Sequence, residues 1–228
     1  MKPSQALRAP LAEASVTPAL PASALSGRRA AILASAQALF SRYGYRGVAL
    51  RQIAADAGVS LTLLDHHFGA KPQLFLAVVE AWRGVVESSL DELRAVAGGQ
   101  PCTAGPAELV DRLLVCVRRL RDQPAGAQLL WMHLRSRHDD DPLVTAALAQ
   151  LFAPVEAAWG AALLAAYPAL DGPRLTALYP CVRGALLEGY VRQTAAGAAP
   201  VDEPAFDEQV RRFLIGGLAA VVGVAVPG

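Results

Sequence analysis

AGVSLTLLDHHFGAK, residues Ala57 to Lys71, is the stretch on which the reading of the whole chain turns. Gly58 suits the left-handed conformation that ends a helix, and Ser60 is placed to cap the next by accepting a bond from a backbone N–H near Leu63. Two segments precede it, RRAAILASAQALFSRYGYRG (residues 28–47) and LRQIAADAG (residues 50–58), both with apolar residues at helical spacing. Three helical signals therefore arrive close together, with a tight turn between the last two. Such an arrangement has the form of a helix-turn-helix unit.

Composition agrees with helices throughout. Of 228 residues, 54% are hydrophobic and only 6% aromatic, with alanine and leucine filling most apolar positions. That favours an all-α chain over a sheet. The net charge of +1 hides an asymmetry: residues 1–83 hold nine Lys and Arg against four Asp and Glu, and the remainder twelve against sixteen. A basic head on an acidic body fits a polyanion-contacting domain attached to one that does not touch the polyanion.

Several classes are disfavoured. Cys102, Cys116 and Cys181 are odd in number and widely spaced, so neither a disulfide framework nor a zinc site is expected, and a cytoplasmic location is the simple reading. His66 and His67 are adjacent and diverge by about 100° on a helix, which disfavours a shared metal ion. No Gly-rich phosphate loop, nucleophile elbow or HExxH motif appears, so no enzyme and no cofactor are expected. The run FLIGGLAAVVGVAV, Phe213 to Val226, has fourteen residues, short of a membrane span, and is expected to be a buried helix.

The run ILASAQALFSRYGYRG, then LRQIAADAGVS, then HHFGAKPQLF resembles the N-terminal DNA-binding domain of the TetR/AcrR family of transcriptional regulators. The landmarks are Phe40, Gly44, Tyr45, Ile53, Ala54, Ala57, Gly58, Val59, Ser60, Phe68 and Lys71. The chain departs from the pattern where a Thr or Ser usually caps the second helix, having Val48 and Ala49. It departs again in the recognition helix, where Leu63 and Asp65 replace Thr and Tyr. Asp65 is expected to pair with a basic neighbour or to face away from DNA.

Residues 1–25, rich in Ala, Pro and Ser with no helical period, are expected to form a disordered arm, and the resemblance implies a helix-turn-helix domain at 26–70 and a helical ligand-binding and dimerisation domain at 71–228. In the arm, Lys2 and Arg8 either brush DNA or are merely solvated. The first helix is expected to start near Ser26 as a cap, and a fourth to run unbroken from Lys71 to Ala97. Arg51, Ser60, Leu61, Thr62, Leu63, His67 and Lys71 are the expected DNA-contacting residues, with His67 favoured over His66 for phosphate. Double-stranded DNA with a palindromic operator, a second copy of the chain and a small-molecule effector are the implied partners; no membrane is implied. Activator and repressor use the same parts, and a degenerate member acting through protein contacts is the alternative.

Beyond the head, Gly98–Gly105 reads as a loop, and helices are expected over Glu108–Arg121, Ala127–His138 and from a cap in Asp139–Asp141 toward Tyr167. Two closing helices carry apolar stripes. Leu178, Val182, Leu186, Val210, Phe213, Leu214, Gly217 and Val221 lie where the family's dimeric bundle forms, although the same stripes also fit a core. Trp131, His133, Trp159, Tyr179 and Arg183 are candidate ligand contacts, with ordinary packing as the alternative for each aromatic. An inward Arg183 requires an anion: Glu156, Glu188 or an acidic ligand.

Overall fold

The computed structural model describes residues 22–98, 104–136, 140–193 and 203–225. Among them are ten helices and no strand: α1 Ala22–Tyr43, α2 Leu50–Asp56, α3 Leu61–Phe68, α4 Lys71–Ser89, α5 Asp91–Gly98, α6 Pro106–Asp122, α7 Pro124–Ser136, α8 Pro142–Ala166, α9 Gly172–Gln193 and α10 Glu203–Val222. The expectations for Lys2, Arg8, Cys102 and Asp139 lie outside the described residues, as does the side chain of Glu188.

α1 turns Ile32, Ala36 and Phe40, spaced by four, into a core where each is fully buried. Phe40, Tyr45 and Phe75 meet there with ring centroids 5.0 to 5.8 Å apart. The helix begins four residues before Ser26, so Ser26 lies inside it and is not its cap. Alanine and leucine, good helix formers, extend it back to Ala22.

Between α2 and α3 the chain closes as predicted. Gly58 has φ +64°, and the Val59 N–H donates to the Ala54 carbonyl at 2.9 Å while that of Gly58 reaches Ala55 at 3.2 Å, the Schellman pattern. Ser60 Oγ accepts from the Leu63 N–H at 3.2 Å. At the other end of α2, Ala49 supplies no side-chain cap, but Gln52 Oε1 accepts from the Ala49 N–H at 2.6 Å, half of a capping box. Val48 is buried, so its position serves packing. Ser35 ties α1 to α2 by donating to Asp56 Oδ2 at 2.7 Å.

The unbroken helix expected from Lys71 to Ala97 is two helices. Leu90 separates α4 from α5, its N–H reaching back only three residues to Glu87. Ser88 and Ser89 explain the break: their hydroxyls donate to the carbonyls of Val85 and Val86, competing with the backbone ladder.

Two apolar clusters organise the body. One runs without interruption from the head through α4, α7 and the first half of α8, and includes Phe40, Leu64, Trp82, Leu129, Leu148 and Phe152. The other joins α5, α6, α9, α10 and the second half of α8 around Trp159, Leu109 and Leu218. Bidentate contacts from Arg211 to Asp111, 2.6 and 3.0 Å, pin α10 to α6. α8 is long and apolar enough to cross a membrane by length and composition, but it runs through both clusters with Leu148, Leu151, Trp159 and Leu163 buried. α10 is two-sided where a buried helix was expected: Leu214, Ile215 and Leu218 face inward, while Phe213 is 69% exposed.

Asp141 caps α8, its carboxylate accepting from the Leu143 N–H at 3.0 Å, and also lies 3.9 Å from Arg46 of the head. Replacing Asp141 by Ala is expected to cost about 1 kcal/mol of stability. Urea denaturation should show a lower midpoint at unchanged slope, and Asp141→Asn, which keeps the accepting oxygen, should recover most of the loss. An Asp141→Ala protein as stable as the parent would remove the cap from the account.

Candidate nucleic-acid interface and internal cavity

α3 presents two faces. Leu64 and Phe68, four residues apart, are buried in the head, which fixes the helix rotation. Ser60, Leu61, Thr62, Asp65 and His66 are consequently exposed and Leu63 is half-buried. Arg51 is exposed in the first turn of α2, and Lys71 stands at the start of α4 with its ammonium 4.5 Å from the Tyr45 ring centroid. Arg29 sits 4.8 Å over the Phe68 ring. The capped N-terminus of α3 and Arg51 are thus open to solvent, with Lys71 half-buried just beyond the C-terminus of α3.

Two residues there differ from expectation. His67 is half-buried with Nε2 enclosed and lacking a hydrogen-bond partner, so that nitrogen is closed to phosphate; His66 is the more exposed imidazole. Asp65 remains on the exposed face of α3 without an ion pair among the described residues, so it leaves a negative charge on that surface.

A cavity lies where the two apolar clusters meet. Its walls come from Ser89 of α4, Leu113, Cys116, Val117 and Leu120 of α6, Leu130 and His133 of α7, Phe152 and Val155 of α8, and Tyr179, Val182, Arg183 and Leu186 of α9. The free volume is about 60 Å³. His133 packs on Phe152 with centroids 4.4 Å apart, and Ser89 Oγ lies 3.4 Å from Cys116 Sγ. Burial pushes the Cys116 thiol up, against the Ser89 hydrogen bond and the charge of Arg119. Burial likewise pushes Tyr179 up to about 12, although Arg183 acts the other way. Both groups are neutral near pH 7.

Of the five candidate ligand contacts, His133, Tyr179 and Arg183 line this cavity; Trp131 and Trp159 do not. Trp131 is two residues from His133, about 200° around α7, and packs against the head-side cluster with Arg135 5.7 Å from its ring. Trp159 is buried in the other cluster, its Nε1 without a partner. Phe152, Leu130, Ser89 and Cys116 were missed. Periodicity marked none of them, because only the meeting of several helices makes a wall. Among the described residues no group of three or more His, Cys, Asp or Glu is arranged to hold a metal.

Residues 32–78 match the model of bacterial regulatory proteins of the tetR family, the segment that contains α2, α3 and the turn between them. Residues 32–78 are therefore a tetR-family helix-turn-helix segment. RutR of Escherichia coli (strain K12), an HTH-type transcriptional regulator, is 35% identical over 111 residues, 49% of this chain and 50% of RutR. The chain thus spans about half the length of that curated relative. Two solved structures share the fold of this chain. HlyIIR, a hemolysin II transcriptional regulator, superposes with TM-score 0.58 at 15% identity, covering 85% of this chain and 97% of HlyIIR. The multidrug binding protein EbrR, complexed with imidazole, gives 0.57 at 21%, covering 88% and 97%.

The residues expected at a dimer face divide. Leu178, Val182, Leu186 and Leu214 are buried within the protomer, and Val182 and Leu186 also line the cavity. Val210 and Val221 are half-buried, while Phe213 and Gly217 are open to solvent. Leu178, Val182, Phe213, Leu214, Gly217 and Val221 line an open apolar groove between α9 and α10. Among the described residues, no atom outside its own helix comes within 4 Å of a Cβ built on Gly216 or Gly217.

Because the folded state holds Tyr179 neutral beyond the ordinary value of 10.0, its contribution to stability is complete below about pH 10 and is lost as pH rises through about 12. Denaturation across that window should show the parent losing stability relative to Tyr179→Phe. The tyrosinate absorbance step of Tyr179 should fall near pH 12 and be missing from the variant. A Tyr179 that ionises near 10 would contradict the buried placement.

Proposed function

We propose that the chain is a one-component transcriptional regulator of the cytoplasm, acting as a repressor that binds a palindromic operator as a homodimer and is released by a small molecule. The observation that carries this is the open face of α3, locked at its N-terminus by the Gly58 and Ser60 bonds and flanked by Arg51 and Lys71. A helix so presented enters a major groove with its first residues nearest the bases. Thr62 is the base-reading hydroxyl, Leu61 and Leu63 offer contact to thymine methyl groups, and Arg51 and Lys71 meet phosphate.

The α9–α10 groove supports dimerisation, since an apolar strip with an exposed Phe213 gains by being covered. The cavity supports an effector, as does the description of EbrR as a multidrug binding protein. A ligand that favours one arrangement of α4, α7 and α8 shifts the spacing of two heads packed on those helices, by no more than its differential affinity for the two states. RutR, named as a transcriptional regulator, is consistent with the overall role.

Gel retardation with DNA upstream of the chain's own gene tests the reading. Lys71→Ala should weaken binding to every duplex and lower the salt slope by about one per head. Thr62→Ala should cost about 1 kcal/mol on the preferred site and little elsewhere. The second reading, a dimer acting through protein contacts without operator binding, draws on Asp65, whose unpaired carboxylate sits on the DNA-facing surface. Retention of no duplex, including a random-sequence pool, by a stable dimer would favour it.

A further inference from the structure

We propose that the cavity takes a small organic anion, a carboxylate with a compact apolar body, with Arg183 as its counter-charge. The inference rests on the cavity being the effector site and adds the chemical class of the effector.

The first argument is the isolation of Arg183. It lines the cavity, it is half-buried, and no carboxylate lies within 4.0 Å of it among the described residues. Of the body's other arginines whose side chains are described, Arg94, Arg112, Arg118, Arg119, Arg121, Arg174, Arg211 and Arg212 each have such a partner, and Arg135 has none. Arg135 is exposed and keeps its hydration. A guanidinium drawn partly out of water without an anion gains most from one supplied by a ligand, and it recognises carboxylate through two parallel N–H bonds.

The second argument is the character of the wall. Arg183 lies 5.8 Å from the Tyr179 ring, one turn away on α9, and the Tyr179 phenol keeps its proton, so it donates to an anion. Cys116 is also neutral and no carboxylate lines the space; the nearest named one, Glu156, acts on Tyr179 from outside the wall, where Arg183 opposes it. Elsewhere the wall is apolar, and Phe152 stacked on His133 offers a flat surface for an apolar body. The free volume of about 60 Å³ holds roughly four or five waters, the space of a six- to nine-atom ligand. A cation is disfavoured by Arg183, and a neutral ligand leaves its charge unanswered.

Calorimetric titration of the full chain with benzoate and hexanoate, beside benzamide and hexanamide, tests this directly. At least one carboxylate should bind about tenfold or more tightly than its amide. Arg183→Gln should abolish that preference while leaving amide affinity and melting temperature near the parent's, and Arg183→Lys should keep part of it. Equal affinity for acid and amide, no carboxylate binding at millimolar concentration, or an Arg183→Gln protein that still prefers the acid would overturn the proposal. Binding is measured without DNA. Carboxylate binding through Arg183 that leaves operator retention unchanged would sustain the anion site and overturn the effector role.

Discussion

One buried stripe on α4 holds the molecule together. Leu74, Phe75 and Val78 close the head, and Val79, Trp82 and Val86 continue the same face into the body, all of them nearly or wholly out of solvent. Burying each such side chain contributes roughly 1.5 to 3 kcal/mol. Because the stripe is continuous, the head does not swing as an independent bead. Its core merges with α7 and α8 in a single cluster, so a displacement of those helices is felt at α1 and α3.

Electrostatics and packing act on different surfaces of the head. Packing sets the rotation of α3 through Leu64 and Phe68, leaving Thr62 and Leu61 outside whatever their chemistry. Charge then decides what that surface meets. Arg51 and Lys71 favour a polyanion, while Asp65 opposes it, and the cations are the more numerous. In the proposed DNA contact, that carboxylate works against the attraction the two cations supply.

The cavity owes its position to the break at Leu90. The serines before it turn α5 aside, and Ser89 ends up against Cys116 at the seam between the two clusters. Leu120, Leu130 and Phe152 belong to the head-side cluster, whereas Leu113, Val182 and Leu186 belong to the other. A molecule in the seam therefore touches both, which is the placement that lets occupancy alter how they pack. α9 carries a double load, with one face in the seam and another toward the groove beside α10.

Features made by neighbouring residues were legible before any fold was known. The Gly58 turn, the Ser60 cap on α3 and the Asp141 cap on α8 depend on bonds spanning a few residues, so residue type and spacing suffice to determine them. The helical class and the inward positions of α1 follow equally from periodicity. Tertiary structure decided which of several similar side chains meets which neighbour. It placed His133 in the cavity and Trp131 outside it, gave Val48 to the core, buried Leu178 and Leu186 within the protomer, and left Arg183 without a carboxylate partner among the described residues. Periodicity yields a helix's apolar face but not its partner, and a cavity wall assembled from five helices has no signature on any one of them.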